Sequence, residues 1–252
     1  ADEYLFVIFV MPVGPYFKGG FATNPYVVIR QYDRSAPLGT GIYKVGGNYA
    51  ASMKANKLAH DLGYSCEFYL DAKEKKYIDE CGAANFFGIK ENTYVTPKST
   101  SILPSITNKS LMQLAEDMGL KVERRQIPIE ELDSFEEAGA CGTAAVISPI
   151  ERIDDLEMKR SYVIAKDGKP GPICRKLYDT LRGIQYGDIE DRHRDIEGVR
   201  DQHDCHEGLE DPFEEDPGFK VCQVVVFDDQ LNQLIAGDKC QDHACNRDDD
   251  GL

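Results

Sequence analysis

The sequence predicts an α+β fold in which a mixed, largely antiparallel sheet is layered with helices. Short strand-like runs follow one another through tight turns, as in CEFYLD, YIDE, NFFGI and TYVTP. Such spacing joins antiparallel neighbours and leaves no room for the crossovers of a doubly wound parallel sheet. Between and after these runs lie NYAASMKANKLAHDLG, LMQLAEDMG and PICRKLYDTLRGIQYG, each apolar at helical intervals and closed by a glycine. Helices alternating with short antiparallel strands form a layered domain.

The elements follow in order. YLFVIFVM (residues 4–11) is a continuous apolar run of eight residues, read as a buried strand and far short of the roughly 20 apolar residues of a membrane span. PVGPYFKGGF supplies turn residues, and YVVIRQY (26–32) reads as a second strand. With so little in front of them to pack against, residues 1–32 read as the end of a domain already under way. DRSAPLGTG (33–41) is a loop leading into YKVGGNYAAS (43–52). In the helix that follows, Ala51, Ala55, Leu58, Ala59 and Leu62 share a face, Gly63 stands at the C-cap, and His60 is expected to be partly exposed. After the four short strands and a loop over 101–107, Thr107 is expected to cap a helix that ends at Gly119. KVERRQI reads as a strand, the stretch from Pro128 to Gly139 as a helix, and CGTAAVISPI (141–150) as a return to the sheet. ERIDDLEMKRSYVIAKDGKPGP is hairpin-like and precedes the last amphipathic helix.

Composition bounds the function. The 252 residues suit one large domain or two small ones. The net charge of −15 is concentrated beyond residue 187, where 20 Asp and Glu stand against 6 Lys and Arg. That imbalance disfavours nucleic-acid binding. The tail, 188–252, is polar, acidic and expected to be partly disordered, with KVCQVVVFDDQ and LNQLIAG able to pair as a hairpin. Its His203, Cys205, His206, Cys222, Cys240, His243 and Cys245 fit no standard zinc spacing, so no metal is expected. Asp2 and Glu3 stand where the basic region of a secretion signal belongs, and no run of the chain is long enough to span a membrane. The expected compartment is the cytoplasm, with Cys66, Cys81, Cys141 and Cys174 reduced and mostly buried.

Four strings carry a resemblance: KVGGNYAAS, YIDECGAANFF (77–87), SILPSITNKS (101–110) and CGTAAVISPIERI (141–153). Together, and in this order, they resemble the branched-chain amino acid aminotransferases, enzymes of the class IV, fold type IV group that use pyridoxal 5'-phosphate. The resemblance runs from about residue 4 to about residue 186. It implies that 1–32 closes a small N-terminal domain, 33–43 is the interdomain loop and 44–187 is a cofactor-binding large domain of sheet or barrel layered with helices. It also implies that more than a hundred residues usually found upstream are missing here.

By that resemblance, Lys44 is the catalytic amine that carries the cofactor as a Schiff base and then moves the substrate proton. Glu80 is the carboxylate facing the pyridine nitrogen, and Asp79 beside it an ordinary acidic residue. Tyr49 donates to the phenolic oxygen. Ile106 and Thr107 bind the phosphate at a helix start, and Thr143 binds it from a second turn. Ser105 stands where many members have glycine. The amides of Thr143, Ala144 and Ala145 receive the substrate carboxylate. The implied reaction exchanges the amino group of leucine, isoleucine or valine with 2-oxoglutarate, in a homodimer whose partners are these small amino and 2-oxo acids. Two other readings stand beside it. One is a different fold type IV enzyme, such as a D-amino acid aminotransferase or an aminodeoxychorismate lyase; the other is an inactive fragment acting in binding. The family's phosphate-binding arginine and much of its substrate pocket come from the N-terminal domain or a partner subunit, and neither is found in this sequence.

Overall fold

The computed structural model describes residues 21–193. The run at 4–11, and the hairpin and His/Cys residues expected in the tail, lie outside the described residues. The elements are β1 (Asn24–Val28), α1 (Gly46–Asp61), β2 (Cys66–Leu70), β3 (Ile78–Cys81), β4 (Ala84–Lys90), β5 (Thr93–Pro97), α2 (Ile106–Asp117), β6 (Lys121–Arg125), a 3-10 turn (Ile129–Ser134), β7 (Glu137–Gly142), β8 (Val146–Asp155), β9 (Arg160–Val163) and α3 (Pro172–Tyr186).

The nine strands among the described residues form one sheet. Its path β3-β2-β1-β8-β7-β4 returns on itself because β4 also pairs with β3, so six strands close a ring. Strands β5 and β6 extend outward from β4, and β9 from β8. Six pairings are antiparallel. Three are parallel: β1 with β2, β1 with β8, and β5 with β6. The expected largely antiparallel sheet or barrel is the one observed.

Alternation along the strands sorts the core. Phe86 points with Tyr26, Val28, Phe68, Leu70, Ala138 and Ala140 into one buried cluster. Phe87, one residue on, lies with Ile89, Tyr94 and Cys141 against Leu111 and Leu114 of α2 and Leu177 and Leu181 of α3. That is the period-two logic of a strand covered on both faces. A third, smaller cluster sets Val27, Ile29 and Tyr69 against Ala55 and Ala59 of α1.

Four expectations need correction. Strand β1, grouped by the sequence with a preceding small domain, lies inside the ring between β2 and β8. Its carbonyl and amide rows are taken up on both sides, so residues 24–28 belong to the large body. The stretch from Pro128 to Gly139 is not one helix. It makes a six-residue 3-10 turn whose Ile129 and Leu132 are buried, and residues 137–141 pair with β4 as β7; the ladder outcompetes a helix that would leave those groups unpaired. In CGTAAVISPI, Cys141 and Gly142 end β7, residues 143–145 form a turn, and β8 begins at Val146. On α1, Ala55 and Ala59 are buried as expected, but Ala51 is exposed and Leu62 is 47% exposed. The exposed His60 and the left-handed Gly63 (φ +84) match the expectation. Cys66 is half-buried, and Cys81, Cys141 and Cys174 are buried and free.

Candidate active site

Glu80 sits near the end of β3, opposite Asn85 of β4, and Asn85 is in turn paired with Cys141 of β7. The β3–β4 hairpin closes in two residues with Gly82 at φ +56, a left-handed position that glycine adopts without strain. Gly142, just before the 143–145 turn, lies against Ala84 of that hairpin. The turn holding Thr143 and the strand holding Glu80 therefore share one end of the ring.

Glu80 is 2% exposed. Its Oε1 accepts the Leu103 N–H at 2.8 Å and the Asn85 side-chain amide at 3.4 Å, and its Oε2 is paired with Arg34 Nε. Burial pushes its carboxyl up to about 7, while Arg34 and the Leu103 N–H favour the charged form. A carboxylate offers about four acceptor positions, so these three donors leave one on Oε2. Asp79 departs from expectation. It is 6% exposed, accepts the Ser101 hydroxyl at 2.7 Å, and leaves its other oxygen buried with no partner among the described residues.

Lys44 lies half-buried between the 33–43 loop and the start of α1. The backbone before it is held by Asn48, which reaches back from the first turn of the helix. The Asn48 amide donates to Thr40 O at 2.8 Å and Tyr43 O at 2.9 Å, and its oxygen accepts the Thr40 hydroxyl at 2.8 Å. Five residues after Lys44, in the first turns of α1, Tyr49 is half-buried. Its phenol is pushed up first by burial and then by the Glu80 charge, with Arg34 pulling the other way. Tyr49, Glu80 and Arg34 thus act on one another, and the phenol is held neutral as a hydrogen-bond donor.

The loop that donates to Glu80 runs on into α2. Ser105, not Thr107, is the N-cap: its extended backbone suits any residue, and its hydroxyl accepts the Asn108 N–H at 3.1 Å. The N–H groups of Ile106 and Thr107 keep no acceptor among the described residues. Serine in place of glycine therefore uses one helix-start amide and leaves two. A buried chain fixes this helix start to the sheet: Tyr94 OH donates to Asn108 Oδ1 at 2.7 Å, Asn108 Nδ2 to Thr96 Oγ1 at 2.9 Å, and Thr96 Oγ1 to Phe86 O at 2.8 Å.

In the second turn Thr143 and Ala144 are exposed and Ala145 half-buried. Val146 follows at φ +58, a strained conformation for a β-branched residue and one that recurs where a site imposes backbone geometry. The 33–43 loop and the loop before α2 meet at Glu80 through Arg34 and Leu103, and the 143–145 turn adjoins the β3–β4 hairpin through Gly142. Arg34, Asn48, Asn85 and Asn108 were missed as holders of the site. For Arg34 a signal existed, because it is the one basic residue of the loop string DRSAPLGTG. Among the described residues no group of three or more His, Cys, Asp or Glu could hold a metal ion, and no helix is long and apolar enough to cross a membrane.

A profile described as amino-transferase class IV matches residues 4–153. The chain belongs to the aminotransferase class IV family. It is 49% identical over 197 residues to a branched-chain-amino-acid aminotransferase of Haemophilus influenzae, an alignment covering 75% of this chain and 57% of the relative. Among solved structures it is similar to the Escherichia coli branched-chain amino acid aminotransferase, with TM-score 0.64 and 28% identity over 73% of this chain and 58% of the other. It is similar also to the enzyme of Thermobaculum terrenum in its PLP-form, with TM-score 0.59 and 30% identity over 66% of this chain and 52% of the other. The chain spans about half the length of the curated relatives it matches.

For this class IV chain the residues fit the family's cofactor by their donor chemistry. One acceptor position remains on a buried carboxylate, a neutral phenol stands beside it, two helix-start amides lack acceptors, and small residues line the turn opposite.

Proposed function

We propose that this chain carries the cofactor half of an aminotransferase that exchanges the amino group of leucine, isoleucine or valine with 2-oxoglutarate, using pyridoxal 5'-phosphate. When bound, that cofactor supplies an electron sink conjugated to the substrate Cα. The Lys44 amine would hold the cofactor and, with the amino acid in place, would serve as the base that takes up the substrate Cα proton and the acid that gives it back. Glu80 would accept a hydrogen bond from the cofactor's ring nitrogen and favour its protonated form. Tyr49 donates to the phenolic oxygen. The N–H groups of Ile106 and Thr107 and the hydroxyls of Thr107 and Thr143 bind the phosphate, where helix-start dipoles favour an anion. The amides of Thr143, Ala144 and Ala145 receive the substrate carboxylate, and small side chains there admit it to the backbone.

The observation that carries the reading is the buried Glu80, with an acceptor position unfilled, acting on Tyr49 in the first turns of the helix that Lys44 precedes. A homodimer in the cytoplasm is the proposed working form. Leu38, 91% exposed on the loop beside the site, supports a partner surface there, and the free thiols of Cys81, Cys141 and Cys174 support a reducing compartment.

Purified protein given excess pyridoxal phosphate, leucine and 2-oxoglutarate is expected to turn yellow and to form glutamate. Lys44→Ala is expected to lose both. No glutamate from the unaltered protein overturns the amino-transfer reading. That outcome with a retained yellow colour favours another fold type IV activity, and with no colour favours an inactive half.

A further inference from the structure

Residues 33–43 carry the chain into Lys44, and their attachment centres on a buried cation. Arg34, its side chain 10% exposed, pairs through Nε with Glu80. Its Nη1 donates to Ser101 O at 2.6 Å, and both terminal nitrogens lie within 3.5 Å of Gly41 O. Around it the fit is close. A Cβ at Gly41 would stand 2.3 Å from Ser101 O, Ser35 Oγ also donates to Ser101 O at 3.4 Å, and Thr100 Oγ1 donates to Pro37 O at 2.7 Å. The 33–43 loop and the 99–103 loop are thus sewn together, and Arg34 joins the seam to the site.

A planar guanidinium with five donors reaches these separate acceptors at once, which an ammonium at a single point cannot do. The titratable groups acting on or beside Glu80 are few: Arg34 from the loop, Asp79 and Cys81 on its own strand, Tyr49 from α1 and Cys141 from β7. Among them Arg34 is the only cation. We infer that Arg34 is a positioning residue: one guanidinium fixes Glu80 through their ion pair and fastens the loop that leads into Lys44. The use made of Glu80's charge rests on the pyridoxal phosphate reading; the ion pair and the fastened loop do not.

The test uses the whole protein without added cofactor, so a failure of the amino-transfer reading leaves it standing, and its own failure leaves that reading standing. Infrared absorption of the buried protonated carboxyl, assigned by its loss in Glu80→Gln, gives the Glu80 titration midpoint. In Arg34→Gln the midpoint is expected to rise by about 1–3 pH units. In Arg34→Lys it is expected to return most of the way, because the charge remains. The amides of 33–43 should nonetheless exchange with solvent about ten- to a hundredfold faster in Arg34→Lys, since the fork that reaches Ser101 O is gone. A role in loop structure alone would move the exchange and leave the Glu80 midpoint where it was. An unmoved midpoint in Arg34→Gln, or wild-type loop exchange in Arg34→Lys, overturns the proposal. Should Arg34→Gln fail to fold, the Glu80 midpoint is read in Arg34→Met, which keeps the length of the side chain and removes its charge, and an unmoved midpoint there overturns the proposal.

Discussion

The two helical coverings of the barrel are held by different physics. On one side α2 and α3 press Leu111, Leu114, Leu177 and Leu181 onto Phe87, Ile89 and Tyr94, with Leu111 and Leu177 fully buried. On the other, α1 contributes Ala55 and Ala59 to a small cluster and leaves Met53 and Leu62 more than 40% exposed. What the α1 side lacks in apolar area it replaces with polar clamps, Asn48 on the backbone before Lys44 and Arg34 on Glu80. A site between these coverings has one wall whose energy is spread over many contacts and another whose energy sits in a few hydrogen bonds. Motion on the Lys44 side is then governed by individual polar groups, and it can be altered without unfolding the protein.

The comparison breaks if deletions on the two sides behave alike. Leu111→Ala should have the largest effect, a loss of about 2–5 kcal/mol of global stability seen as a lower denaturant midpoint. Asn48→Ala should cost less, on the order of 1–3 kcal/mol. Its cost should appear mainly as faster hydrogen exchange of residues 40–43, with the global transition moved much less. A global loss equal to that of Leu111→Ala would refute the division.

Acidity adds a second contrast, between carboxylates at the site and one away from it. Glu80 has a folded-state value raised from 4.5 to about 7, so the folded protein binds its proton more readily than the unfolded chain. Its contribution therefore makes the protein more stable as pH falls from 7 toward 4.5, by on the order of 2–4 kcal/mol if the pair titrates alone. Asp79 and Glu67 are raised by burial in the same sense. Glu131, away from the site, is held below the usual carboxylate range by Arg125. Its stabilisation is present above its ordinary value and is lost as pH falls through the depressed one. Glu80→Gln should flatten the stability profile between pH 7 and 5, while Glu131→Gln should leave that window alone and remove part of the loss at lower pH. The Glu131 effect should be the smallest, about 0–1 kcal/mol, because its cationic partners are partly exposed and salt screens them.

Much of this was legible in the strand runs and their turns. CEFYLD, YIDE, NFFGI and TYVTP became β2 to β5, and the glycines after the helices became left-handed caps at 63, 119 and 187. The expectations that missed were those in which local propensity competed with the ladder. Pro128 to Gly139 has the composition of a helix, but its second half is claimed by β4. Thr107 has the chemistry of an N-cap, but Ser105 took the position when the chain was fixed by Leu103 on Glu80. Asp79 looks like any acidic residue at a strand end, and only the neighbouring loop buries it.

By itself the sequence determined what is periodic or local: which segments are strands or helices, where they stop, and which residue types are available for amine, carboxylate, phenol and anion-binding chemistry. Tertiary structure decided what depends on closure of the ring. It brought β1 between β2 and β8, set Glu80 beside residues distant in the chain, and placed Arg34 on it across 46 positions of sequence. The reason is physical: a buried charge is tolerated only where partners converge on it, and convergence is a property of the folded arrangement that no single stretch of chain contains.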